Sequence, residues 1–255
     1  LRKNNEVERS REFVESQLVR ARFFKSDTLE ANVRKLRGKA KVGWIWLGIT
    51  LLAVNLCGAA GQSLAGERSI TVAAASDLQF AFTAIGALFE RESGGKVVFT
   101  FGSTGNLARQ IENGAPVDIF AAANVQFVEY LVSKGLLITD TQQLYAIGRI
   151  VLAGNRQTGL HLTTLRDLLR PEVKRVAIAN PQHAPYGMAA KQALETVGIW
   201  DALKSKLVYG ENVRQALQYV QTGNAEAGIV ALSIADVPEV AYTLIDNRLH
   251  APLRQ

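Results

Sequence analysis

From Ser69 onward the chain alternates short apolar runs with amphipathic stretches, and this alternation restricts the possible folds more than any other feature. Short apolar runs suit strands buried on both faces, whereas apolar side chains recurring every third or fourth position suit helices that bury one face. Alternating the two along a chain leads to helices layered on a sheet, an α/β fold. SITVAAA predicts a strand. The following SDLQFAFTAIGALFERESGG predicts a helix, because Leu78, Phe82, Ile85, Leu88 and Phe89 recur at helical spacing before Gly94 and Gly95 stop it. KVVFTFGS and VDIFAAA read as strands, and TGNLARQIENGAP and NVQFVEYLVSKG as helices ended by Gly114 with Pro116 and by Gly135.

A second set of elements begins near Arg149. RIVLAG, VKRVAIAN, KLVYG and AEAGIVALSIA predict strands, and TTLRDLLR, PYGMAAKQALETVG and NVRQALQYVQTG predict helices. The reading is two α/β lobes, residues 68–148 with 232–255 forming lobe 1 and residues 149–231 forming lobe 2. No linker rich in Ser, Pro or Gly divides them, which suits a hinge of plain crossing strands better than independent domains.

Charge narrows the range of partners. The net charge is +6, but residues 1–43 hold twelve of the 29 Lys+Arg and only six of the 23 Asp+Glu, so the remainder is balanced at seventeen of each sign. Tracking a phosphate backbone needs a basic face, and no nucleic-acid partner is expected. The single cysteine, Cys57, excludes a disulfide framework and a cysteine-ligated zinc. His161, His183 and His250 lie in separate segments, so neither a structural metal nor a cofactor is expected.

The basic excess runs into an apolar segment. Arg34, Lys35, Arg37, Lys39 and Lys41 precede WIWLGITLLAVNLCGAA and then QSLAGERS. Charged region, apolar region and small-residue site in this order make a secretory signal, with Ser63 and Ala65 at the −3 and −1 positions and cleavage after Ala65. Residues 1–65 are therefore a charged extension plus signal, and the folded part is expected in the periplasm. Two rivals stay open: a membrane anchor, since the segment approaches spanning length, and lipidation at Cys57, against which stands the bulky Leu56.

Four helices start directly after a strand at a small, hydroxyl or turn residue: Ser76-Asp77, Ser103-Thr104-Gly105, Tyr186-Gly187 and Glu211-Asn212-Val213. The first N–H groups of a helix lack internal partners and carry partial positive charge. Several such ends aimed at one point bind an anion without Lys or Arg, and in α/β sheets ligands lie beyond the C-terminal strand ends, where these junctions fall. The hydroxyls of Ser76, Ser103 and Thr104, the phenol of Tyr186 and the adjacent amides can serve the oxygens of a tetrahedral dianion. Each residue taken singly is more often an ordinary N-cap; the force lies in the set. Asp77 would repel an anion if its carboxylate faced the cleft, so it is expected to cap or turn outward with its amide toward the ligand.

Four separated blocks, AAASDL, FGSTGNLARQIENGAPVDIFAAA, NPQHAPYGMAAKQALETVGIWDAL and ENVRQALQYVQTGNAEAGIVALS, resemble in order and spacing the periplasmic molybdate-binding proteins of ABC importers. The resemblance implies a two-lobed periplasmic binding protein fold of type II with the ligand cleft between the lobes. It also implies molybdate or tungstate as ligand and delivery to a membrane permease and its ATPase; the chain is expected to be a monomer. Carried over residue by residue, the oxyanion contacts fall on Ser76, on Thr104 with Ser103 beside it, on Tyr186, and on Val213 through its amide. Where some members place a further tyrosine this chain has Ala231, and Tyr186 is expected to compensate with its hydroxyl. Family members continue beyond HAPLRQ with a strand and helix that complete lobe 1, so an incomplete lobe 1 with an exposed apolar face is expected.

Other classes fit less well. An α/β hydrolase or transferase would need a nucleophile with a base, and neither G-x-S-x-G nor P-loop spacing is present. His183 is the one histidine near the proposed cleft, and a loop histidine bonded to backbone is the plainer reading. The sensing domain of a transcription regulator would need a helix-turn-helix where the apolar segment stands. Sulfate and phosphate remain rivals as ligands, because pocket size decides among oxyanions.

Overall fold

The computed structural model describes residues 69–255; the apolar segment, Cys57 and the cleavage site expected after Ala65 lie outside them. β1 (Ser69–Ala75) runs through a 3-10 turn, Ser76–Leu78, into α1 (Gln79–Ser93). Gly94 ends α1 in the left-handed conformation at φ 66°, its N–H reaching the Glu90 carbonyl, a conformation open to glycine because it has no Cβ. β2 (Lys96–Gly102), α2 (Thr104–Glu112), β3 (Ile119–Ala121) and α3 (Val125–Ser133) follow. The strands make a sheet of order β2-β1-β3, all parallel, with Ser69 opposite Lys96 and Ala75 opposite Gly102. Leu107, Ala108 and Ile111 of α2 and Leu131 of α3 pack with Ala73 of β1 in one core cluster.

β4 (Ile147–Gly148) leads into β5 (Ile150–Asn155). Then come β6 (Val176–Ala179), α4 (Pro185–Thr196), the short α5 (Trp200–Leu203), β7 (Leu207–Gly210), α6 (Val213–Gln221), β8 (Ala227–Ala231), α7 (Leu232–Ala235), β9 (Val240–Leu244) and β10 (Leu253–Arg254). The second sheet has the order β7-β6-β8-β5-β9. β6 is parallel to β7 and β8, and β5 antiparallel to β8 and β9. Every residue of β5, β6 and β8 is buried, as expected of strands covered on both faces. Ile150, Leu152, Ile178 and Ile229 of these strands are fully buried, as are Leu194 of α4 and Leu217 of α6. Asn155 ties the end of β5 to α6, donating to the Val220 carbonyl at 2.7 Å.

One feature differs from the sequence reading. Residues 232–255 are expected in lobe 1, yet β9 pairs along its length with β5, Val151 opposite Leu244 and Asn155 opposite Val240, so it extends the second sheet. TTLRDLLR forms the short helix expected of it, a five-residue 3-10 helix, Leu165–Leu169, closed by a capping box between Thr164 and Asp167. β4 and β10 form a separate two-stranded antiparallel ribbon with Leu253 opposite Gly148, and Tyr145 and Ala146 donate their N–H groups to the Gln255 carbonyl.

Candidate functional site

The four strand-to-helix junctions come together. Ser76 and Ser103 follow the adjacent strands β1 and β2, and Tyr186 and Val213 belong to helices that follow the adjacent strands β6 and β7. Four links join the two pairs. The Tyr186 hydroxyl donates to Asp77 Oδ2 at 3.0 Å. Ser103 Oγ lies 2.8 Å from His183 Nδ1, and the Gly105 N–H donates to the His183 carbonyl at 2.9 Å. Asn106 donates to Glu211 Oε2 at 3.3 Å, and His183 Nε2 stands 3.7 Å from that same oxygen.

Backbone proximity demands glycine at two of these points. A Cβ on Gly105 would lie 2.7 Å from the His183 carbonyl oxygen, and one on Gly187 would collide with the carbonyl of Ala179. Both glycines let a helix start approach a neighbouring backbone closely.

Capping turns out to be a minor occupation of the set. Asn212 caps α6, its Oδ1 accepting from the N–H groups of Arg214 and Gln215, which leaves Val213 at the first position of that helix. Ser103 makes no side-chain cap to α2; its hydroxyl is engaged by His183. Thr104 is fully buried and its Oγ1 accepts from the Ala123 N–H at 3.0 Å, so its own O–H remains available to donate. Ser76 is buried.

Asp77 and Tyr186 depart from expectation. Asp77 neither caps nor turns outward: it is buried, and its Oδ2 accepts from Tyr186 and from Gln255 Nε2 at 2.8 Å. Its Oδ1 has no partner among the described residues. Burial pushes its carboxyl up to about 6, although the bonds from Gln255 and Tyr186 pull the other way. The Tyr186 hydroxyl, expected to face the ligand, is committed to Asp77 because the two side chains meet in a buried seam; burial and then the Asp77 charge push its phenol well above the usual range. Burial also holds the His183 imidazole below its ordinary value, against the pull of Glu211.

Asn106 and Gln255 carry no local signal in the sequence, and for His183 and Glu211 the sequence shows only that they lie near a junction. Their part rests on contacts between residues far apart in the chain, 80 positions for Ser103 with His183 and 178 for Asp77 with Gln255. Among the described residues no group of His, Cys, Asp and Glu is placed to hold a metal ion. What the arrangement offers is a concentration of helix starts and hydroxyls.

Residues 70–255 match the family model of the bacterial extracellular solute-binding proteins. The chain belongs to this family. Solute-binding proteins of this kind are not enzymes. The molybdate-binding protein ModA of Azotobacter vinelandii is 38% identical over 185 residues, covering 72% of this chain and 71% of that protein. ModA of Escherichia coli (strain K12) is 38% identical over 191 residues, covering 72% of this chain and 74% of its own. Among solved structures, the Azotobacter vinelandii periplasmic molybdate-binding protein superposes with a TM-score of 0.68 at 30% identity, covering 72% of this chain and 82% of that one. The sulfate-binding protein SubI of Mycobacterium tuberculosis H37Rv, at TM-score 0.59 and 17% identity over 69% of this chain and 71% of that one, shares the fold. The two-lobed fold of periplasmic solute-binding proteins is thus the fold of this chain. No helix among the described residues is long and apolar enough to cross a membrane.

Proposed function

We propose that this chain captures a tetrahedral oxyanion, molybdate or tungstate, outside the cytoplasmic membrane and delivers it to the permease and ATPase of an ABC importer. The observation that carries the reading is the meeting of four strand-to-helix junctions from two sheets, linked by Tyr186 to Asp77 and by His183 to Ser103. The similarity to molybdate-binding proteins supports it.

The donors in this reading are the hydroxyls of Ser76 and Thr104, with Ser103 beside them, and the amides of Asp77, Tyr186 and Val213. Helix starts supply partial positive charge in a fixed direction. Neutral donors also select: a protonated oxyanion would need an acceptor, so a fully deprotonated dianion is preferred. Contacts from both sheets make the bound form the closed one, because the ligand gains from the second set only on closure. The chain acts as a monomer, exported by the signal in residues 34–65, and closure presents the surface that the permease reads.

Titration calorimetry with molybdate, tungstate, sulfate and phosphate tests the reading. Tight binding of molybdate and tungstate with far weaker sulfate is expected; tight sulfate binding with none for molybdate would overturn it. Export is checked by sequencing the N-terminus of the mature protein, expected to begin at Gly66.

A further inference from the structure

We propose that Asp77 and Tyr186 form an interlobe clasp that positions the two halves of the anion site, Tyr186 acting through its hydroxyl on Asp77 and not on the ligand. The inference deepens the proposed function and rests on it for the identity of the ligand.

Asp77 directly follows Ser76 on the turn after β1, and Tyr186 is the second residue of α4. Their bond therefore joins the two sides at the positions beside the candidate donors. It is part of a closed triad, since Gln255 Nε2 donates to Asp77 Oδ2 at 2.8 Å and reaches the Tyr186 hydroxyl at 3.0 Å. From α7, Ser233 Oγ donates to the Asp77 carbonyl at 2.9 Å. Asp77 is thus gripped by α4, by α7 and by the residue after β10, all of them outside the first sheet.

The β4–β10 ribbon is shaped around the same hydroxyl. A Cβ at Gly148 in β4 would stand 2.6 Å from the Tyr186 hydroxyl and 3.0 Å from Leu253 Cβ, so glycine there is what lets the phenol through to Asp77. Apolar side chains in a buried seam can slide past one another, whereas the three hydrogen bonds of this polar triad are made together in one geometry only. No Lys, Arg or His among the described residues forms an ion pair with Asp77; Tyr186 and Gln255 donate the hydrogen bonds to its side chain.

The test has two arms on the full chain. In the first, molybdate affinity and dissociation rate are measured for Tyr186→Phe, Asp77→Ala, the double variant and Asp77→Asn. Each of the first two is expected to raise Kd about tenfold, mostly through faster release, and the double variant no further than the weaker single one, because both remove one interaction. Asp77→Asn keeps a carbonyl oxygen for Tyr186 and Gln255 and should stay within about threefold of wild type. In the second arm, hydrogen exchange without ligand should rise in Tyr186→Phe both at residues 76–78 and at the start of α4.

Effects that multiply in the double variant, an Asp77→Asn chain as weak as Asp77→Ala, or faster exchange on one side alone would overturn the clasp. A wild-type chain that binds no oxyanion would overturn the proposed function, and the exchange arm would then judge the clasp by itself.

Discussion

Thr104 combines two roles in one hydroxyl: it accepts from the Ala123 N–H at 3.0 Å while fully buried, and in the proposed site it donates to the anion. Thr104→Ala strands that amide, which should cost about 1–3 kcal/mol of stability and weaken molybdate binding; Thr104→Ser should preserve both, as measured by denaturant unfolding and calorimetry. Asp77 has a different signature. Its carboxyl is raised from 3.8 to about 6 by burial, so between those values the folded chain holds more protons than the unfolded one. Stability then falls as pH rises through this window and levels off above it, a contribution of roughly 3 kcal/mol. Asp77→Asn removes that contribution, so its stability relative to wild type should rise from about pH 4 to about pH 7; a constant difference in urea midpoints would refute this. The sequence placed Ser76, Thr104 and Val213 at helix starts because hydroxyl and turn residues after an apolar run are local signals. It misplaced the side chains of Asp77 and Tyr186 because they answer to each other across 109 positions.

Among the elements, α6 starts on a single side-chain cap. Asn212 accepts from the N–H groups of Arg214 and Gln215, and Asn212→Ala should cost about 1 kcal/mol, read as a lowered melting temperature, together with weaker anion binding as the first turn around Val213 loosens. The start of α4 depends on Gly187, where a Cβ would collide with the Ala179 carbonyl oxygen. Gly187→Ala must push α4 away from β6 and should destabilise by about 3 kcal/mol or more, measured by chemical unfolding. Helix and strand identities were legible because apolar periodicity is a property of neighbouring residues. The placement of β9 was not. Its five residues, Val240–Leu244, are mixed in burial, a pattern that fits the edge of either sheet, and only the pairing with β5 decides.

For the whole molecule, a ligand that binds the folded chain alone stabilises it by mass action. Molybdate at about a hundred times its Kd should add about 2.7 kcal/mol, a rise in melting temperature of roughly 5–10 °C for a chain of this size, and an equal concentration of sulfate should add far less. The sequence by itself determined the α/β class, the strand-to-helix junctions and the charge balance of the part that folds, since each follows from residue type and local spacing. Only the tertiary structure decided that β9 joins the second sheet, that Tyr186 spends its hydroxyl on Asp77, and that His183 and Glu211 close the ring of junctions. The reason is physical: these are contacts between segments distant in sequence, and the free energy of burying a polar group depends on which partner the fold brings to it.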